Sequence, residues 1–168
     1  ETDFPKILEN WLHNDFFQDW ARGRAARNLG LEGKDITDDF RHRPPYEPCY
    51  LFESGIYPLD RYPLRGVIWY QGESNAHNVE AHERLFRLLV KSWREYWTDA
   101  DLPFHFVQLS SLNRPSWPAF RNSQRLLSAE IPHTGMVVTS DLGDPADVPY
   151  RDKCPVGERM ALLVLSAD

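Results

Sequence analysis

The amino-acid sequence predicts an α/β fold built around a parallel sheet, and two patterns lead to that prediction. From Leu64 onward, short apolar runs typical of buried strands alternate with longer stretches of helical periodicity. Strands that are separated by helices are joined by crossover connections, which place neighbouring strands in parallel. The 168 residues, 42% of them hydrophobic, are enough for one domain with a core of its own.

Residues 1–63 differ in composition from residues 64–168 and are predicted to be a helical and proline-rich segment that packs on the β/α part. Apolar residues at helical spacing predict a helix over 5–29, with Pro5 in its first turn. Residues 31–50 read as a polar, proline-rich connector that is long for a loop inside a compact domain. That length predicts either a function for the connector or packing against something outside this chain.

Six elements are predicted in order in the β/α part. They are a strand at 64–70 that is buried on both faces, a helix at 82–100, a strand at 103–110, a helix at 118–130, a strand at 135–141 and a helix at 156–167. The first of these helices is amphipathic, and its apolar stripe is predicted to face the core rather than a ligand. The stripe comprises Leu85, Phe86, Leu89, Trp93, Tyr96 and Trp97.

Polar residues follow each predicted strand, at 71–75, at 108–111 and at 140–147. The carboxyl ends of parallel strands lie at one edge of a sheet, and ligands of open α/β sheets bind outside that edge. The three polar groups are therefore expected to meet there and to form the functional site.

The stretch "YQGESN" is the most informative of these strand ends. Gln71 and Asn75 offer side-chain N–H donors, Glu73 offers an acceptor, and Gly72 permits backbone conformations that other residues resist. Donors held at the end of a rigid strand suit an oxyanion hole, where they stabilise developing negative charge. A polar turn that caps the following helix explains the same residues equally well, so both interpretations stay open.

The stretch "SDLGDPADVPYRDK" contains four acids, Asp141, Asp144, Asp147 and Asp152. An acidic loop after a strand can bind a metal, orient a histidine or form a solvated turn. The glycine and proline within the loop favour the turn.

Composition argues against several classes of function. The net charge of -6 and the lack of a long basic run argue against nucleic-acid binding, and no apolar stretch is long enough to span a membrane. Cys49 and Cys154 lack neighbours at metal-ligand spacing, so neither a metal nor a cofactor is predicted, while a disulfide between them is undecided. His77 lies close enough to "QGESN" to reach the site, whereas His82 is assigned to the start of the helix.

The segment "GVIWYQGESNA", from Gly66 to Ala76, resembles the most distinctive segment of the sialate O-acetylesterase family, carbohydrate esterases of the SGNH-hydrolase class. Further segments follow in the order found in that family. They are "CYLFESGIYPL", "LVKSWREYW", "PFHFVQLS", "WPAFRNSQ", "GMVVTSDLGDPADV" and "DKCPVGERMA". The resemblance covers nearly the whole chain and is strongest from Arg43 to Met160.

The resemblance implies a three-layer α/β/α, flavodoxin-like fold whose parallel sheet is incomplete here, because the family's first strands precede the matched segments. It implies hydrolysis of O-acetyl esters on sialic acid or related sugars through a serine nucleophile, a histidine base and an aspartate. The implied location is secreted, periplasmic or lysosomal. The implied partners are the O-acetylated sugar and, if the enzyme is cleaved, a separate chain that carries its N-terminal portion.

Carried over residue by residue, the resemblance places Gln71, Gly72, Glu73 and Asn75 on the oxyanion side. Asp147 is the first choice for orienting the base, with Asp144 and Asp141 behind it. Gln108 and Asp144 are assigned to substrate binding.

Two features of the family are missing from this sequence. The nucleophilic serine belongs to a "GQSNM"-like motif that the chain does not contain. The family's "DVHP" block, which carries the base, reads "DVPY" at 147–150, so either Pro149 replaces the histidine or a local deletion shifts the register. Ser74 is a poor substitute for the serine, and nothing requires His77 to replace the base.

The isolated chain is therefore predicted to lack serine-esterase activity and to be a fragment or one part of a cleaved enzyme. A non-catalytic carbohydrate-binding module derived from the same fold is the alternative. A metal-dependent enzyme that uses the acidic loop is the least favoured interpretation.

Overall fold

The computed structural model describes residues 49–59, 62–143 and 152–167. The chain divides into two compact units, with the boundary between Tyr62 and Pro63. The helix predicted over 5–29 and nearly all of the connector lie outside the described residues. The packing of residues 1–63 on the rest of the chain therefore stays a prediction.

In the first unit, the described residues form two short helical turns. A π-helical turn spans Phe52–Ile56 and a 3₁₀ turn spans Tyr57–Leu59, and neither contains a buried residue.

In the second unit, three strands form a parallel sheet in the order β1-β2-β3. They are β1 (Val67–Trp69), β2 (Phe104–Val107) and β3 (Thr134–Val137). Each pair of strands is connected through a helix, as crossovers between parallel strands require. The three carboxyl ends therefore lie at one edge of the sheet, and the predicted α/β class with a parallel sheet is confirmed.

Three helices follow the strands in alternation. They are α1 (Val79–Tyr96), α2 (Trp117–Glu130) and α3 (Cys154–Ala167). The side chain of Asn78 caps α1 by accepting a hydrogen bond of 3.0 Å from the backbone N–H of Ala81. Prolines in the first turns of α2 and α3 fit positions whose N–H has no partner within the helix.

Alternate residues of β2 face opposite layers, which makes the described part of this unit a three-layer α/β/α arrangement. Phe104 and Phe106 pack with Phe86 and Val90 of α1 and with Leu127 of α2. Val107, on the other face, packs against α3 in a cluster with Val137, Val156 and Met160.

Burial differs from the prediction at two places. The first strand is not buried on both faces, because Ile68 is 66% exposed. Ile68 lies on the same face of the sheet as α3, and α3 packs against β2 and β3. In the predicted stripe of α1, Leu85 is 43% exposed, and the stripe omitted Val90, which is only 1% exposed.

Cys49 and Cys154 are both exposed free thiols. None of the helices in the described residues is both long and apolar enough to cross a bilayer.

Candidate active site

The turn after β1 is built around Gly72. Its carbonyl accepts hydrogen bonds from the backbone N–H groups of Asn75 at 2.9 Å and Ala76 at 3.1 Å. Its φ of 145° is one that side-chain-bearing residues rarely adopt. A Cβ at this position would lie 2.9 Å from the Cζ atom of Phe120, so both the backbone and the packing require glycine.

The amides of Gln71 and Asn75 lie side by side on this turn. The Nδ2 atom of Asn75 donates to the Oε1 atom of Gln71 at 3.4 Å. The Gln71 side chain is exposed, and within the described residues its Nε2 group has no hydrogen-bond acceptor. A free amide donor at the carboxyl edge of the sheet is the group that an oxyanion site needs.

His82 supports Asn75 from behind, a contact that the sequence analysis did not predict. The Nδ1 atom of His82 lies 3.5 Å from the Nδ2 atom of Asn75. The ring is 4% exposed and its centroid lies 4.4 Å from that of Phe120. Burial lowers the pKa of His82 to about 4, which keeps the ring neutral at neutral pH. A neutral ring accepts at Nδ1 when its proton is on Nε2.

The sequence did place His82 correctly at the start of the helix. The available signal for its burial was its spacing from Phe86 of the apolar stripe, because residues four positions apart lie on the same face of a helix. The ring centroid of Phe86 lies 5.8 Å from that of His82.

The other members of the turn are more open to solvent. Glu73 is half-buried, whereas Ser74 and His77 are exposed. Gln71, Gly72, Glu73 and Asn75 lie on one turn at the carboxyl end of β1. Their proposed role in catalysis stays a prediction.

Gln108 follows β2 at the same edge of the sheet, but its amide is occupied. Its Nε2 atom donates to the backbone carbonyl of Arg121 at 3.0 Å, and its Oε1 atom accepts from the Nη2 atom of Arg121 at 3.1 Å. The residue is 7% exposed. Gln108 therefore holds Arg121 in place, and its predicted contact with substrate stays untested.

Side chains of α2 complete the hydrogen bonding where β2 ends. The Oε1 atom of Gln124 accepts from the backbone N–H of Leu109 at 3.0 Å, and its Nε2 atom donates to the carbonyl of Val107 at 3.3 Å. The indole N–H of Trp117 donates to the carbonyl of Ser110 at 2.7 Å. These contacts fix the edge rigidly, and only tertiary structure reveals them.

At the end of β3, Asp141 forms a bidentate ion pair with Arg159 of α3. Hydrogen bonds from Arg159 lower the pKa of Asp141 to about 2. Asp144, Asp147 and Pro149 lie outside the described residues. In the part of the chain that the structure describes, no three His, Cys, Asp or Glu side chains cluster in a way that would hold a metal ion.

Comparison with known proteins identifies the family. The family model described as "Carbohydrate esterase, sialic acid-specific acetylesterase" matches residues 53–165. The sialate O-acetylesterase of Homo sapiens is 32% identical over 166 residues, which cover 85% of this chain and 32% of that protein. The sialate O-acetylesterase of Mus musculus is 35% identical over 150 residues, which cover 76% of this chain and 28% of that protein.

A solved structure agrees with these relatives. The crystal structure of a novel carbohydrate acetylesterase from Xanthomonas citri superposes with a TM-score of 0.59 at 37% identity, covering 64% of this chain and 27% of the other. The chain spans about a third of the length of the curated relatives that it matches. The chain therefore belongs to the family of sialic acid-specific carbohydrate acetylesterases, which are hydrolases, as its resemblance to sialate O-acetylesterases predicted.

Proposed function

We propose that this chain forms the oxyanion side of a carbohydrate esterase that removes O-acetyl groups from sialic acid or related sugars. One observation carries the proposal. The paired amides of Gln71 and Asn75 lie on a turn held by Gly72 at the carboxyl edge of the sheet, in a chain that belongs to an acetylesterase family.

The proposed reaction is acyl transfer in two steps. A serine oxygen attacks the acetyl carbon while a histidine takes the serine proton, and a tetrahedral oxyanion forms. The sugar oxygen then leaves with that proton, and water hydrolyses the acetyl-serine to release acetate. The free amide of Gln71 donates to the oxyanion in both steps, Asn75 donates to it by giving up its 3.4 Å hydrogen bond to Gln71, and Asp147 orients the histidine.

The serine and the histidine are proposed to come from outside the present sequence. The sequence has no "GQSN" segment, and the resemblance to the family's "DVHP" block aligns Pro149 with the histidine. In the described sheet β1 is an edge strand, so further strands could pair beside it, and the exposed Ile68 would be covered by another element on its face of the sheet. Residues 1–63 are proposed to pack against this same catalytic region.

The test compares this chain with a polypeptide that also carries a serine-bearing segment. The chain alone is expected to hydrolyse neither 4-nitrophenyl acetate nor O-acetylated sialic acid, whereas the serine-bearing protein hydrolyses both and is inactivated by a serine-directed phosphonate. Phosphonate-sensitive turnover by the chain alone would contradict the proposed division of the catalytic residues. Lack of turnover by the serine-bearing protein would contradict the esterase function.

A non-catalytic sugar-binding module is the second candidate, because Pro149 has no group that can accept a proton. This candidate predicts that the serine-bearing protein binds O-acetylated sialic acid in calorimetry and does not hydrolyse it. Hydrolysis would exclude this alternative.

A further inference from the structure

A pocket of about 350 Å³ opens between the segment that follows β2 and the first turns of α2. It is lined by residues 111–114, which follow β2, and by Trp117, Pro118 and Arg121 of α2. A volume of this size is in the lower range of ligand pockets and suits a monosaccharide rather than a polymer.

The pocket and the turn share one wall. Trp117 and Leu112, which line the pocket, pack in a single apolar cluster with Ala76 of the turn and with Phe120. Phe120 in turn contacts Gly72. The pocket is therefore joined to the turn through one cluster of packed side chains.

Arg114 and Arg121 are the charged residues among the described residues that line the pocket. Within the described residues neither guanidinium pairs with a carboxylate. Arg114 lies over the ring of Trp117 at 5.7 Å, and the Nε atom of Arg121 is buried without a hydrogen-bond partner. By contrast, Arg87 forms an ion pair with Glu130 at 2.7 Å. Among the described residues, Arg114 and Arg121 have no such carboxylate partner.

The orientation of Arg121 is held by Gln108 through the two hydrogen bonds described above. Holding a cation with a neutral amide leaves its charge uncompensated, whereas a carboxylate partner would cancel it. An oriented guanidinium without a carboxylate partner among the described residues is suited to bind an anionic group.

We propose that this arginine pocket binds the carboxylate of an acidic sugar, so that the sugar's O-acetyl group reaches the amides of Gln71 and Asn75. The placement of the O-acetyl group at the amides rests on the proposed esterase function, whereas carboxylate binding rests on the pocket alone. Arg114 and Arg121 are binding residues in this scheme, and Gln108 is a positioning residue that acts through Arg121.

Binding is tested with one sugar in two charge states. The methyl glycoside of sialic acid carries a carboxylate, and the methyl ester of the same glycoside does not. Calorimetry on the intact protein is expected to give a dissociation constant at least about 10-fold lower for the acid than for the ester, because hydrogen bonds between charged groups contribute about 1.5–3 kcal/mol. Equal affinity for the two forms would overturn the proposal.

Variants assign the preference to the pocket. Arg121→Gln and Arg114→Gln are each expected to reduce the acid-to-ester affinity ratio by about 10-fold, and Gln108→Met is expected to reduce it because Arg121 loses its anchor. The matched control is Arg125→Gln, since Arg125 is exposed on the same helix and contacts Asn122. The assignment of carboxylate binding to this pocket would be contradicted if the acid-to-ester affinity ratio stayed unchanged in both Arg121→Gln and Arg114→Gln. It would also be contradicted if the ratio fell equally in Arg125→Gln.

Two further arms separate the possible outcomes. Glucuronate in place of sialic acid shows whether any sugar carboxylate suffices or whether the pocket fits sialic acid. Arginine-dependent binding without hydrolysis of the O-acetylated sugar would support the pocket and contradict the esterase function. Hydrolysis of O-acetylated neutral and acidic sugars at equal kcat/KM would support the esterase and contradict the pocket.

Discussion

Replacement of Gly72 by alanine tests whether the turn that carries the two amides depends on a residue without a side chain. Two independent costs apply. The φ of 145° is rarely adopted by other residues, and such strain costs about 1–3 kcal/mol. The new Cβ would also lie 2.9 and 3.0 Å from two ring atoms of Phe120, and overpacking of this kind costs about 1–3 kcal/mol.

The sum predicts that Gly72→Ala lowers the free energy of unfolding by about 2–6 kcal/mol, a large part of the stability of an ordinary domain. Urea denaturation followed by circular dichroism measures the change. Gly157→Ala is the matched control, because a Cβ there meets nothing within 4 Å and the residue lies in α3. That control is expected to raise the free energy of unfolding by about 0.5–1 kcal/mol.

A double variant separates the two costs. Phe120→Leu removes the ring atoms that the new Cβ would contact but leaves the backbone strain, so the pair is expected to show a favourable coupling of about 1 kcal/mol or more. If Gly72→Ala changes stability by less than about 0.5 kcal/mol, the argument from φ and packing is wrong.

Three further predictions concern the groups around the site. Gln124→Met leaves the backbone N–H of Leu109 and a carbonyl of β2 without partners, and it should cost at least about 2 kcal/mol in urea denaturation; a cost below about 0.5 kcal/mol would contradict this. His82 has a folded pKa of about 4 against 6.5 when unfolded, so about 3 kcal/mol of stability is lost as the pH falls from 6.5 to 4. That loss should disappear in His82→Phe, and an unchanged slope would refute the assignment. Asp141, whose pKa is lowered from 3.8 to about 2, stabilises the fold above pH 3.8 and stops doing so as the pH falls to 2. Asp141→Asn should lack this part of the acid dependence, which stability measurements from pH 4 to pH 2 would show.

The pattern of strands and helices was predictable because it depends on local sequence. Alternation of apolar runs with amphipathic stretches established the parallel sheet, and the strand ends placed Gln71 and Gln108 at one edge. The burial of Ile68 was mispredicted because an apolar residue in a strand-like run does not reveal whether a helix covers its face.

The contacts that make the site rigid were not predictable, since they join residues that are far apart in sequence. The hydrogen bond from Leu109 to Gln124 spans 15 positions, and the one from Arg121 to Gln108 spans 13. A glutamine in an amphipathic helix carries no local sign of which backbone it will satisfy. The oxyanion assignment itself came from a resemblance to a family, because the residues alone left a capping turn equally open.

The most direct test of the central claim is the kcat for O-acetylated sialic acid in the serine-bearing protein with Gln71→Ala or Asn75→Ala, with Ser74→Ala as the control on the same turn. Loss of a principal oxyanion donor is expected to lower kcat about 100-fold or more, while the exposed Ser74 should leave it unchanged. If both amide variants keep kcat within about threefold of the unmodified protein, the turn is not the oxyanion wall.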